Sequence, residues 1–364
     1  MAEADKHKSA LSVQKGIEQP PAVNPDLIRK IKVSRKKRYS TEEYISGILS
    51  GNRTVLSQAI TLLESSNPRH FEIAQKVIES CLHHRKPSVR IGITGVPGAG
   101  KSTFIDTFGK LLTSKGRELA VLAIDPSSSN TKGSILGDKT RMESLSVDPH
   151  AFIRPSPAAG TLGGVARKTR ETIILCEAAG FDTIIVETVG VGQSETTASS
   201  MVDFFLLIML AGAGDELQGI KRGIMEMAHL VAINKADGNN RLAAEQTAAE
   251  FRNVLHLFPR SPSGWVPRVM TCSAREKIGM EEVWQVISEY ISITANSGYF
   301  EERRKQQAII RMHDTILEQL KNSFYNNEEI RKMSSIIEQQ LKEGDITSYK
   351  AAGDMLNKYF KRCP

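Results

Sequence analysis

The segment that most restricts the fold of this chain is G-V-P-G-A-G-K-S-T, at positions 95–103. It follows an apolar run at 89–93 and matches the phosphate-loop pattern G-x-x-x-x-G-K-[ST]. Such a loop joins a strand to a helix, so that backbone N–H groups can surround phosphate groups. We predict that Lys101 contacts the β- and γ-phosphates of a nucleotide and that the Ser102 hydroxyl binds Mg²⁺. The predicted phosphate-side contacts are Gly95, Val96, Pro97, Gly98, Ala99, Gly100, Lys101, Ser102 and Thr103.

Short apolar runs alternate with helical stretches over the middle of the chain. Runs of this kind separated by helices indicate a mostly parallel sheet covered by helices on both faces, an α/β fold. The most apolar run, at 204–210, is too short to span a bilayer and is typical of a buried strand. In such sheets ligands bind at the carboxyl ends of the strands. The predicted strands are 89–93, 119–124, 152–153, 183–186, 204–210, 230–233 and 269–272.

Two short motifs after later strands predict which base the site accepts. Asp237 closes N-K-A-D at 234–237, and its carboxylate can accept hydrogen bonds from both N1–H and the 2-amino group of guanine. Adenine offers no such pair of donors and would leave the carboxylate unpaired. We expect Asn234 to brace the loop and the Ala274 N–H to meet guanine O6, so that GTP and GDP are the ligands. The predicted base-side contacts are Asn234, Lys235, Asp237, Ser273, Ala274 and Arg275.

Three acids near strand ends are candidates for holding Mg²⁺ and its waters. Asp125 ends the second run, Asp138 lies in the loop after it, and Glu187 ends T-I-I-V-E. Mg²⁺ prefers octahedral oxygen ligands, which makes Ser102 and these carboxylates the predicted metal site. A capping or surface role is the alternative for each acid, and for Asp138 the sequence does not decide. Most small GTPases have aspartate where Glu187 stands, so here the carboxylate reaches one methylene farther.

The segment 187–195 is predicted to be a switch loop in which Gly190 moves with the γ-phosphate. No glutamine directly follows Gly190, and Gln193 is the candidate for positioning water. Arg141 and Lys221 are candidates for the positive charge that an arginine finger supplies elsewhere. The expectation is slow intrinsic hydrolysis that a partner or dimerisation accelerates. The predicted catalytic residues are Lys101, Asp125, Asp138, Glu187, Gln193 and Lys221.

The flanks of this region predict four parts: a flexible basic arm at 1–40, a helical layer at 41–86, the nucleotide-binding domain at 87–280 and a helical tail at 281–364. Much of the net charge of +7 lies in the run R-K-I-K-V-S-R-K-K-R at 29–38 of this arm, but no aromatics are interleaved with the charges of that run, which argues against nucleic acid as a partner. The four cysteines form no C-x-x-C pair, which suits a reducing compartment. No targeting segment is evident, so we expect a cytoplasmic protein, with a processed mitochondrial form as the alternative.

The longer loop motifs resemble the MeaB/ArgK/MMAA family of P-loop GTPases, which are chaperones of adenosylcobalamin-dependent methylmalonyl-CoA mutase. They are D-P-S-S-S, G-S-I-L-G-D-K-T-R-M at 133–142, G-T-L-G-G-V-A at 160–166, E-T-V-G-V-G-Q-S-E and G-D-E-L-Q-G-I-K at 214–221. The resemblance implies a homodimer whose C-terminal helices form an arm. It implies that GTP hydrolysis gates cofactor delivery to the mutase and protects or rescues that enzyme. It also implies a further switch at 214–221, with Asp215 and Lys221 relaying the nucleotide state.

Two other functions stay open on the sequence. The first is a small-molecule kinase that uses the same phosphate loop, since members of the family were once labelled arginine or transport kinases. N-K-A-D argues against it, because most such kinases use ATP. The second is an interaction module that binds nucleotide without turnover, against which Lys101, Ser102 and the three acids argue.

Overall fold

A computed structural model describes residues 39–65, 67–124, 142–156, 162–188, 194–212, 222–259 and 261–360. The chain divides into two units, Met1–Ser40 and Thr41–Pro364, and all but two of the described residues belong to the second. Several predicted residues lie outside the described ranges and keep their status as predictions: Asp125, Asp138, Arg141, Gly190, Gln193, Asp215 and Lys221. The segment 1–40, predicted to be a flexible basic arm, falls almost entirely outside them as well, and the four domain bounds remain predictions.

The described chain contains a seven-stranded sheet in the order β3-β2-β4-β1-β5-β6-β7, with every neighbouring pair parallel. The predicted α/β fold is confirmed, and each predicted apolar run overlaps one strand. The phosphate loop follows the central strand β1, on either side of which the chain builds one half of the sheet. The strands are β1 Val89–Gly95, β2 Leu119–Ile124, β3 Ala151–Ser156, β4 Thr183–Thr188, β5 Phe204–Leu210, β6 Leu230–Asn234 and β7 Arg268–Thr271.

Helices cover the sheet, precede it and follow it. Before β1 lie α1 Thr41–Leu49, α2 Arg53–Glu64 and α3 Pro68–Leu82. Asn52 and Asn67 cap α2 and α3 by accepting hydrogen bonds from backbone N–H groups of the first turn. Among the strands lie α4 Lys101–Ser114, α5 Glu143–Ser146, α6 Leu162–Ala179, α7 Ser194–Ser199, α8 Arg222–Met227 and α9 Arg241–Leu255. After β7 come α10 Met280–Asn296, α11 Tyr299–Asn326, α12 Glu328–Glu343 and α13 Ser348–Phe360.

The main core lies between the sheet and the helices α4 and α10. Phe104 and Phe108 of α4 are fully buried there, and Tyr290 of α10 packs edge-on against Phe204 of β5 and Trp265. Burial of large aromatic and aliphatic side chains of this kind is the main stabilising term for such a sheet. It packs α4, which directly follows the phosphate loop, against the sheet.

The start of α11 is anchored to the edge of this core by polar contacts. Gln307 Nε2 donates to the Val202 carbonyl at 2.9 Å, and Arg304 pairs with Asp203 just before β5. Beyond this anchor, α11 to α13 carry exposed apolar side chains, among them Leu317 and Leu320. None of the helices in the described ranges is both long and apolar enough to cross a membrane.

Candidate nucleotide-binding site

The phosphate loop begins at a position where only glycine fits. Gly95 has φ +154°, and a Cβ there would lie 2.0 Å from the Ile208 carbonyl oxygen of β5. At Gly100, which has φ +82°, a Cβ would lie 2.9 Å from Asn234 Nδ2. The loop therefore passes directly over β5 and against the first residue of N-K-A-D. This close approach places the predicted phosphate-binding and base-binding segments side by side.

Lys101 lies inside this loop, where the sequence places it. Its Nζ donates to the carbonyl oxygens of Gly95 at 2.8 Å and Val96 at 3.1 Å. Burial lowers the pKa of Lys101, and the negative charges of Glu187 and Glu195 oppose that shift. A half-buried ammonium group held by neutral carbonyl groups is well suited to bind an anionic phosphate.

Ser102 and Glu187 meet at the start of α4. Ser102 Oγ donates to Glu187 Oε1 at 3.2 Å, and the Glu187 side chain is buried at the end of β4. The pair offers one hydroxyl and one carboxylate, the hard oxygen donors that Mg²⁺ prefers, so these residues fit the predicted metal. Glu187 reaches the hydroxyl from β4, which pairs with β1. Within the described ranges, no group of three or more His, Cys, Asp or Glu side chains could hold a metal.

Asp237 and Ser273 are brought together from two loops. Ser273 Oγ donates to Asp237 Oδ2 at 2.5 Å, and the Glu276 N–H donates to the same hydroxyl at 3.2 Å. The hydroxyl thus fixes one carboxylate oxygen of Asp237 and orients the other. This arrangement leaves a half-buried carboxylate with capacity to accept further hydrogen bonds, as guanine recognition requires.

Asn234 braces the site as expected, but the Ala274 N–H is placed differently. Asn234 Nδ2 donates to the Ala99 carbonyl of the phosphate loop at 2.8 Å, and its Oδ1 accepts from the Ala274 N–H at 3.0 Å. We expected that N–H to meet guanine O6. It is instead donated inside the protein, because the buried amide oxygen of Asn234 requires a donor. A contact to O6 would need this bond to be exchanged, and it stays a prediction.

Three further predicted contacts, Thr103, Lys235 and Arg275, are exposed. Lys235 has φ +60°, a left-handed conformation that non-glycine residues rarely adopt. The exposed Lys235 side chain is free to cover a base, as predicted from the motif.

Sequence reasoning missed two side chains of this region. Glu195 is 2% exposed at the first turn of α7, and its charge acts on Lys101. Thr107 of α4 donates from Oγ1 to the Ala274 carbonyl at 2.9 Å. Glu195 could have been singled out from the sequence, because it is the acid that ends the predicted switch segment at Q-S-E. Nothing in the sequence marks Thr107, since its partner is 167 positions away.

The parallel sheet, the phosphate loop after its central strand and the paired base-recognition segments define a P-loop GTPase. The chain matches the model of the family described as methylmalonyl Co-A mutase-associated GTPase MeaB over residues 56–329, and it belongs to that family.

Relatives and a solved structure agree with this assignment. A probable GTPase of Mycobacterium bovis is 45% identical over 311 residues, which are 85% of this chain and 93% of the relative. GTPase ArgK of Escherichia coli is 46% identical over 79% of this chain and 87% of its own length. The mouse mitochondrial methylmalonic aciduria type A homolog is 44% identical over 90% of this chain and 81% of its own. A crystal structure of an LAO/AO transport system kinase matches with a TM-score of 0.71 and 35% identity, over 88% of this chain and 97% of that one.

Proposed function

We propose that this GTPase is a metallochaperone that gates the loading of adenosylcobalamin into methylmalonyl-CoA mutase and protects or reactivates that enzyme. The observation that carries the proposal is the family match over residues 56–329, whose description names association with the mutase. The mouse relative, named for methylmalonic aciduria, supports the same client. A related cobalamin-dependent acyl-CoA mutase is an alternative client of the same chemistry.

The chemistry assigned to the chain is slow hydrolysis of GTP, accelerated by the partner. Lys101 binds the β- and γ-phosphates, and Ser102 and Glu187 hold Mg²⁺, which neutralises charge on the phosphates when bound. Ser102 and Glu187 already lie within 3.2 Å of each other, which supports a shared role. From the sequence alone, the proposal adds Asp125 and Asp138 to the metal site and Gln193 and Lys221 to catalysis.

Guanine selection is assigned to Asp237, Ser273 and Asn234. The hydrogen bond from Ser273 fixes the Asp237 carboxylate, and the hydrogen bond from Asn234 to Ala99 joins the N-K-A-D segment to the phosphate loop. A fixed carboxylate favours a base with two adjacent donors and disfavours adenine. GTP and GDP are therefore the proposed ligands.

A homodimer is the proposed assembly, with α11 to α13 as its arm. Exposed apolar side chains recur along these helices, including Ile309, Met312, Leu317 and Leu320, which are 48–67% exposed. Helices with such a stripe bury it against another element. The proposal includes neither a membrane nor nucleic acid as a partner. It places the protein in the cytoplasm, or in the mitochondrial matrix as the mouse relative's name indicates.

A small-molecule kinase is the second candidate, favoured by the name of a similar solved structure, the LAO/AO transport system kinase. A kinase of this kind would transfer the γ-phosphoryl group to an acceptor and would typically use ATP. The Asp237–Ser273 pair supports GTP instead. Nucleotide preference therefore separates the two candidates.

The deciding experiment measures phosphate release by the full chain from GTP, and from ATP in a parallel reaction, with and without purified adenosylcobalamin-dependent methylmalonyl-CoA mutase. We expect slow GTP turnover that rises severalfold with the mutase and is absent with ATP. Lys101→Ala serves as the inactive control, because it removes the ammonium from the phosphate loop. GTP turnover that the mutase leaves unchanged would exclude this client, and turnover of ATP in place of GTP would favour the kinase.

A further inference from the structure

The helix after the phosphate loop contacts the loop after β7, which carries Ser273–Arg275 and is called here the base-recognition loop, through a side-chain hydrogen bond. Thr107 lies on α4, two turns from Lys101, and its Oγ1 donates to the Ala274 carbonyl at 2.9 Å. The two residues are 167 positions apart, so only the packing of α4 against the loop after β7 brings them together. Ala274 itself is 3% exposed, so its carbonyl lies where water has little access.

Ala274 is held from both sides of its backbone. Its N–H donates to Asn234 Oδ1 at 3.0 Å, while its carbonyl accepts from Thr107. Asn234 in turn donates to the Ala99 carbonyl in the phosphate loop at 2.8 Å. These three hydrogen bonds, together with the backbone that leads from the phosphate loop into α4, connect the phosphate loop, α4 and the base-recognition loop to one another.

We propose that Thr107 is a positioning residue for guanine recognition, which sets the position of the Ala274 segment relative to the phosphate loop. This inference rests on the proposed assignment of the guanine site to N-K-A-D and the Ser273–Arg275 segment. A ligand that bridges two loops binds more tightly when their separation is fixed before it arrives, because less ordering is then required on binding. The Thr107 hydroxyl supplies that constraint without contacting the nucleotide itself.

Removal of the hydroxyl has a specific consequence. Thr107→Val keeps the shape of the side chain but leaves the buried Ala274 carbonyl without this donor. A buried acceptor that has lost its donor costs free energy, because it is also shielded from water. The base end of the site then loosens, while Lys101 and Ser102 at the phosphate end keep their contacts. Binding of the guanine nucleotide weakens, whereas the chemistry at saturating GTP stays the same.

The same helix offers a matched control. Thr113 lies further along α4, and its Oγ1 donates at 2.8 Å to Asp148, away from the base-recognition loop. Thr113→Val therefore removes a threonine hydroxyl hydrogen bond from the same helix, in this case one to a carboxylate that also accepts from Lys110. It reports how much of any effect comes from weakening α4 in general.

The experiment compares wild type, Thr107→Val, Thr107→Ser and Thr113→Val as full-length chains. The readouts are the dissociation rate of a fluorescent GDP, the preference for GTP over ATP in competition, and kcat and KM for GTP. For Thr107→Val we expect GDP to dissociate about tenfold faster, a change that corresponds to about 1.4 kcal/mol, with KM raised and kcat unchanged. Thr107→Ser, which keeps the hydroxyl, restores wild-type dissociation, and Thr113→Val lowers thermal stability alone.

Two results would overturn the inference. One is wild-type dissociation of GDP from folded Thr107→Val, and the other is equally fast dissociation from Thr113→Val. If Thr107→Val does not fold, Thr107→Ala replaces it with the same expected result. A wild-type protein that does not prefer GTP over ATP would instead refute the proposed guanine site, which keeps the two failures distinct.

Discussion

Arg304 of α11 binds Asp203, directly before β5, through two hydrogen bonds, Nη2 to Oδ2 at 2.6 Å and Nε to Oδ1 at 2.9 Å. Asp203 is 2% exposed and also accepts from the Arg90 N–H at 2.8 Å. Arg304 Nη2 further donates to the Ser88 carbonyl at 2.9 Å. The C-terminal helices are thus joined to the central part of the sheet by a largely desolvated ion pair.

Arg304→Met is expected to destabilise the fold, because it leaves the buried Asp203 carboxylate without its cation. Removal of one partner of a buried pair costs about 3 kcal/mol of unfolding free energy or more. Denaturant unfolding measures this change. The control is Lys115→Met, which removes an ion pair with Glu281 whose side chains are 39% and 53% exposed, and should cost less than about 1 kcal/mol. Equal losses in the two variants would contradict the prediction.

The buried His229 is expected to lower the free energy of unfolding as the pH falls into the mildly acidic range. Its Nδ1 accepts from the Phe205 N–H at 2.8 Å, and burial, followed by the charge of Arg303, lowers the pKa of His229 well below 6.5. The unfolded chain therefore binds a proton at this residue as the pH drops through about 6.5, while the folded chain does not. Stability contributed by the neutral ring is present above pH 6.5 and is lost below it.

Unfolding free energies measured between pH 7.5 and 5 test whether stability falls with decreasing pH. The contribution of one such group approaches about 1.4 kcal/mol per pH unit in the acid part of that range. His229→Asn, which cannot be protonated there, should show a flatter dependence than the wild type. A variant with the wild-type slope would assign the effect to other groups.

Glu187→Asp is expected to lower GTP hydrolysis about 10- to 100-fold, the usual cost of disturbing a group that orients a metal site. The shorter acid withdraws the carboxylate from Ser102 Oγ, which now lies 3.2 Å away. Steady-state phosphate release at several Mg²⁺ concentrations checks this, and higher Mg²⁺ should recover part of the rate. Undiminished activity at low Mg²⁺ would remove Glu187 from the metal site.

Asp237→Asn is expected to weaken GTP binding about a hundredfold, because an amide offers one donor group where guanine presents only donors. The same change should improve binding of xanthosine triphosphate, whose 2-oxo group can accept from that amide. Competition binding with the two nucleotides measures the reversal. Ser273→Ala, which only frees the carboxylate now held at 2.5 Å, should weaken GTP binding without reversing the preference.

The local residue pattern was sufficient to predict the strands of the chain and the presence of a P-loop GTPase site. The apolar runs overlap every strand of the described sheet, because a parallel strand covered on both faces reads as a continuous apolar run. The edge strand β7 is less buried, and it begins one residue before its predicted run, at the exposed Arg268. The phosphate contacts are likewise predicted from local pattern, because the glycines, Lys101 and Ser102 all lie within one short segment. Asp237 is predicted as the base-selecting residue from its motif and from the strand that precedes it.

Contacts between distant segments were decided only by the tertiary structure. The sequence alone does not specify that Glu187 meets Ser102, that the Ala274 N–H is donated to Asn234, or that Thr107 supports the Ala274 carbonyl. The Arg304–Asp203 pair joins residues 101 positions apart. Such pairs depend on strand order and on how each helix packs on the sheet, because a hydrogen bond requires its atoms within about 3 Å of each other. Local residue patterns determine which segments become strands and helices, whereas their packing determines which side chains share a site.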